Sequence, residues 1–171
     1  MKIIEGLKKV KDLVVKAEDL RGKISKYCAD LDCESPVYPD QRKQVSEWLQ
    51  AHSDVLKEIL SIRYRIQKTN VNHEVTIELG GKHVTKSITE WIHRRRDLAV
   101  LEQTAWKQLS EKDFKEAYKT KLTVNSPEQV IKRRLYFDPL ERDTKIELFR
   151  NEPSVIDGVL ETVNAVTDLM E

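Results

Sequence analysis

From Ile3 onward the apolar residues of this chain step by four and three in alternation: Ile3, Leu7, Val10, Val14, Ala17, Arg21, Ile24, Cys28 and Leu31. Eight of those nine positions are apolar, where a 39% hydrophobic background supplies about 3.5, and a 3.5-residue period is that of a helix with one narrow apolar stripe, as in coiled coils. The interruption at Arg21-Gly22 sets a charge in the stripe beside a poor helix former, so a kink or a close helix contact is expected there. Glu34-Ser35-Pro36-Val37-Tyr38-Pro39-Asp40 holds two prolines and a potential cap, which stop one helix and start the next. The same step then returns at Val45, Trp48, His52, Val55, Ile59, Ile62, Ile66 and Thr69, six of the eight being apolar. Two such helices of about 30 residues, joined by a short loop, must run antiparallel to bury their stripes.

Beyond Thr69-Asn70-Val71-Asn72 the period changes. Val75-Thr76-Ile77-Glu78-Leu79 alternates apolar and polar up to Gly80-Gly81, and Lys82-His83-Val84-Thr85 follows, which predicts a β-hairpin with a two-residue turn. Ser87 and Glu90 have the spacing of a capping box and open a third helix through Trp91, Ile92, Leu98, Leu101, Ala105 and Leu109 toward about Tyr118. Between Leu122 and Glu152 the pattern loosens. Asn125-Ser126-Pro127 acts as a breaker, and Leu135-Tyr136-Phe137 and Ile146-Glu147-Leu148-Phe149 read as two short runs that could pair as strands, divided by Asp138-Pro139. Pro153 suits the first turn of a last helix framed by Ile156, Val159, Val163, Val166 and Met170. The expected fold is mainly α: a long antiparallel coiled-coil helical hairpin over residues 1–72, with two further helices and one or two small β-hairpins over residues 73–171 packed on it.

Charge and composition bound the function. Thirty basic residues against 29 acidic ones leave a net charge of +1, so no global field recruits nucleic acid or anionic lipid. The N-terminus turns charged at once, with no apolar signal segment, and no run approaches the roughly 18 apolar residues of a spanning helix. A cytoplasmic or virion-associated protein is expected. Cys28 and Cys33 lack the spacing of a ribbon or redox motif and read as reduced thiols. His73 and His83 flank the glycine turn, but two histidines without a third ligand do not make a metal site. His52 falls in the second stripe, where a polar residue can set register. Nucleophile elbows, zinc-protease motifs and phosphate loops do not occur, so neither a catalytic residue nor a cofactor is assigned.

Two basic clusters remain: His93-Arg94-Arg95-Arg96 and Lys132-Arg133-Arg134. Successive residues of a helix point 100° apart, so only a subset of the first could serve one ligand, and salt bridges between helices account for the others.

Ile66-Gln67-Lys68-Thr69-Asn70, then Gly80-Gly81, then Ser87-Ile88-Thr89-Glu90 leading into Arg94-Arg95-Arg96-Asp97-Leu98 resemble, in that order, a bacterial helical family labelled septicolysin or DIP-like. The closing Val163-Asn164-Ala165-Val166-Thr167-Asp168-Leu169 looks like that family's last segment, without the tryptophan that often follows the asparagine. The resemblance spans roughly residues 55 to 105 and the last dozen. It implies a helical coiled-coil protein without an established enzymatic role.

The function expected from all this is a non-enzymatic structural or interaction protein. It would self-associate or join a larger assembly, such as a phage virion or another bacterial particle, through Leu7, Val10, Val14, Ile59, Ile62 and Ile66. One alternative is a nucleic-acid-binding accessory protein using Arg94, Arg95, Lys132, Arg133 and Arg134. Another is a membrane-active protein of the kind the family label suggests.

Overall fold

A computed structural model describes residues 1–111 and 134–171. The fold is mainly α. In chain order come α1 (Ile3–Tyr27), α2 (Gln41–Asn72), β1 (Glu74–Leu79), β2 (Lys82–Ser87), α3 (Ile88–His93), a π-helical turn (Arg94–Leu98), α4 (Ala99–Lys107) and α5 (Pro139–Val166). Because α3, the π turn and α4 follow without a break, the described residues hold four helices and one two-stranded antiparallel hairpin. Two compact units divide them: residues 1–76 with 85–90 and 158–171, and residues 77–84 with 91–157.

The first unit is built on α1 and α2. Lys9 pairs with Glu58 at 2.6 Å, Gly6 lies against Ile62 and Ile66, and Gln41 Nε2 donates to the Tyr27 carbonyl at 3.0 Å, so low numbers meet high ones and the helices are antiparallel. On α2 the seam follows the sequence frame: Val55, Ile59, Ile62, Ile66 and Thr69 are buried, and Val45, Trp48 and His52 half-buried. On α1 it does not. There the line toward α2 is Ile3, Gly6, Val10, Leu13, Ala17, Leu20, Ile24 and Tyr27, with every second step taken at i+3 instead of i+4. Leu20 replaces Arg21 in the seam, so Arg21 and Gly22 are simply exposed and the expected break vanishes. Each fully buried Leu or Ile contributes about 1.5–3 kcal/mol, which makes this seam the main stabilising feature of the unit.

Helix ends obey their local chemistry. Glu5 accepts the Lys2 N–H at 2.8 Å, and Asp40 accepts the Lys43 N–H at 2.9 Å. α1 stops at Tyr27, short of the expected Leu31. Residues 28–40 then fold over a cluster of Tyr27, Tyr38 and Trp48, with ring centroids 5.4–5.6 Å apart.

Gly80 and Gly81 have φ of 57° and 76°, as a type I′ turn requires at both central positions. The resulting register sets Thr76 opposite Thr85, whose hydroxyls lie 2.7 Å apart. At the end of β2, Ser87 and Glu90 form the expected capping box: Ser87 N donates to Glu90 Oε2 at 2.9 Å and Glu90 N to Ser87 Oγ at 3.3 Å.

The expectation for residues 135–153 is corrected. Asp138-Pro139 is a helix start: Asp138 Oδ1 accepts the Leu140 N–H at 2.9 Å, and Pro139 sits in the first position, where its missing N–H costs nothing. Ile146–Phe149 is therefore helical and Leu135-Tyr136-Phe137 is not a strand, leaving one hairpin among the described residues. Pro153 lies inside α5 instead of opening it. The helix ends at Val166, before the expected frame reaches Met170, and Leu160 is the buried neighbour of Ile156 in place of Val159.

After Val166 the chain extends beside the start of α1. Ile3 N donates to Thr167 O at 3.0 Å and Leu169 N to Met1 O at 2.8 Å. Thr69 explains its own place in an apolar stripe here. Its buried hydroxyl donates to the Arg65 carbonyl at 2.8 Å and accepts the Met170 N–H at 2.8 Å, so a polar group in the seam is satisfied on both sides.

Candidate functional site

An α-helix turns 100° per residue, and on α2 that rotation separates two apolar stripes. One is the seam with α1. The other carries Leu49, Leu56, Leu60, Tyr64 and Val71, which are 48–70% exposed. On α1, Leu7 and Val14 are 47% and 37% exposed. These are two of the four seam positions that the sequence frame placed one residue too far along, Arg21 and Cys28 being the others. A shallow groove on this side is lined by Val14, Ala17, Arg21, His52, Leu56 and Ile59, so Val14 and Leu56 border one surface. The opposite side is polar, as the Lys9–Glu58 pair shows. Of the six proposed packing residues, Ile59, Ile62 and Ile66 are buried in the seam, Val10 is half-buried, and Leu7 and Val14 face outward.

The basic cluster lies on the π turn of the second unit. Ala99 N donates to Arg94 O, a bond spanning five residues, so one residue more than an α turn is held. Its effect is to shift the frame of the helix. A regular helix from Trp91 would turn Leu98 and Leu101 inward, but they are exposed, and Ala99 and Gln103 are buried instead. The Gln103 amide donates to the Ile146 carbonyl at 3.2 Å.

Arg94 forks onto Glu152 through Nε and Nη2, the second bond measuring 2.8 Å, and its Nη1 reaches Glu102. Glu152 is only 3% exposed, and the Arg94 guanidinium lies over the Phe149 ring at 5.5 Å. Donating hydrogen bonds to Glu152 and then to Glu102 raises the Arg94 pKa further, and the bond from Arg94 holds the Glu102 carboxyl below its usual range. Arg95 pairs with Asp157, and Arg96 with Asp97 at 3.0 Å. Arg94, Arg95 and Arg96 thus each have a carboxylate partner, two of them far away in sequence. Arg134 is exposed, and Lys132 and Arg133 lie outside the described residues.

His73 and His83 do not face each other. The hairpin register puts His83 opposite Glu78, and the His73 carbonyl accepts the Ile88 N–H at 3.0 Å. Cys28 and Cys33 are free and exposed. Among the described residues, no group of three His, Cys, Asp or Glu side chains could hold a metal ion, and no helix is long and apolar enough to cross a membrane.

Fold and surface together define a mainly helical protein whose distinctive exposed feature is an apolar helix face. A crystal structure of a functionally unknown conserved protein from Corynebacterium diphtheriae is similar to it, with a TM-score of 0.57 and 17% sequence identity over 99% of each chain. That likeness extends the fold to a second protein and assigns no activity. No protein-family model and no curated protein matches the chain.

Proposed function

We propose that this chain is a non-enzymatic interaction protein that self-associates, or docks into a larger assembly of the kind found in phage virions and other bacterial particles, through coiled-coil pairing of its long helices. The supporting observation is the uncovered apolar face of α2 with Leu7 and Val14 of α1. Contiguous apolar surface beyond a few hundred Å² is rare on monomers and marks interaction sites. A nucleic-acid role would first have to strip Arg94 and Arg95 from their carboxylates, and separating Arg94 from the buried Glu152 is costly. Light scattering across micromolar concentrations tests the proposal. A mass above that of one chain, rising with concentration, is expected; a single-chain mass throughout would remove self-association.

A further inference from the structure

The exposed stripe of α2 has a symmetry that the buried one lacks. Its positions run Leu49, Ser53, Leu56, Leu60, Tyr64, Gln67 and Val71, all exposed, with steps of 4, 3, 4, 4, 3 and 4 residues. The series reads alike from both ends. At 100° per residue these seven positions stay within about 80° of arc over about 33 Å of helix, so they form one straight strip.

In an isologous contact, if residue i touches residue j of the other copy, then j touches i. Turned about Leu60, the strip meets a second copy of itself with like chemistry at every level. Leu60 meets Leu60, Leu56 meets Tyr64, Leu49 meets Val71, and the polar pair is Ser53 with Gln67, which can exchange a hydrogen bond. We propose that a second copy of this chain covers the strip, with the two α2 helices antiparallel and the two-fold axis at Leu60. This rests on the self-association reading and gives it a register.

Charge favours this orientation over a parallel one. In parallel pairing, Lys68 beside the strip would sit level with its own copy, and like charges repel. The antiparallel pair instead brings Asp54 within about 3 Å of the level of the other copy's Lys68 on the same flank, while Lys57 and Arg63 are level with a cation of the other copy in either orientation. Area sets the strength. A strip about 33 Å long and 10–12 Å wide gives roughly 350 Å² per copy, and the Val14 edge of the groove adds to it. The total, roughly 700 Å² before that edge is counted, stays below the roughly 1,200 Å² where stable interfaces begin, so the dimer is expected to be weak and reversible.

The test uses the full chain carrying Cys28→Ser and Cys33→Ser, with single cysteines restored for linking by a short bismaleimide. Chains with Leu60→Cys are expected to link to one another. Chains with Leu49→Cys are not, since their thiols would lie about 33 Å apart, but they are expected to link in a mixture with Val71→Cys chains. Leu60→Glu, at an exposed position, should weaken association at least tenfold with the helical circular dichroism unchanged. Dimers that fail to link at Leu60→Cys, or that link through Leu49→Cys alone, overturn the register and leave self-association standing. A protein that is monomeric throughout overturns both.

Discussion

Gly6 and Gly22 sit in the same helix and predict opposite responses to a side chain. A Cβ on Gly6 would stand 2.9 Å from Leu169 Cδ1 and 3.4 Å from Ile66 Cδ1, whereas one on Gly22 meets nothing within 4 Å. Gly6→Leu should therefore cost about 1–3 kcal/mol by overpacking. Gly22→Ala should gain about 0.5–1 kcal/mol from helix propensity alone. Urea unfolding of the two variants beside the parent reads both signs. Arg94 supplies a second contrast. Arg94→Ala leaves the buried Glu152 without its fork of donors and should cost about 3–5 kcal/mol, while joint replacement by Arg94→Met and Glu152→Leu should recover most of it. A double variant as unstable as Arg94→Ala in the same unfolding experiment would contradict that account. A glycine inside a helix can mark close packing, but Gly6 does so and Gly22 does not, and the residue type alone does not tell them apart. The Arg94 partners were no more legible, because Glu152 and Glu102 are two carboxylates among many and only the tertiary fold brings them to one guanidinium.

At the scale of elements, legibility depended on how much choice the chain left. On α2 two apolar series run side by side, Trp48, Val55 and Ile59 beside Leu49, Leu56 and Leu60, and Ile62 and Ile66, flanked only by polar residues, tie the period to the buried one. On α1 two neighbours compete at each alternate step: Gly6 with Leu7, Leu13 with Val14, Leu20 with Arg21, Tyr27 with Cys28. A frame that opens with the four-residue step from Ile3 to Leu7 carries on to Val14, Arg21 and Cys28. The seam takes Gly6 and Leu13, since only glycine fits at the first of these. The hairpin was legible because its turn chemistry is local. Gly81 makes that checkable: with open space around it, Gly81→Ala should cost about 1–2 kcal/mol for the left-handed backbone alone, and Gly81→Asn less. Thermal melts of the two variants should rank in that order. The start of α5 was written just as locally, but Asp138-Pro139 serves equally as a divider between strands or as a cap followed by a first-turn proline. Only the hydrogen bond from Leu140 N to Asp138 distinguishes the two.

For the whole molecule, a net charge of +1 and an apolar exposed strip predict how association responds to solution conditions. Contact between apolar faces survives salt, and sulfate strengthens it, whereas binding to a phosphate backbone weakens steeply as salt rises. The mass from light scattering should hold or increase between low and high sodium sulfate; a return to the single-chain mass at high salt would point to charge as the adhesive. The helix from Ile88 to Lys107 adds a last point. Its wide turn at Arg94–Leu98 takes up one residue, while Ala99 and Gln103 keep the inward places that a regular helix one residue shorter would give them. The turn therefore behaves like a stitch let out in a seam: it holds one residue more than an α turn, and the face that follows still points inward. A version lacking Arg96, whose side chain among the described residues bonds its neighbours His93 and Asp97, would close the stitch and leave the same face turned inward.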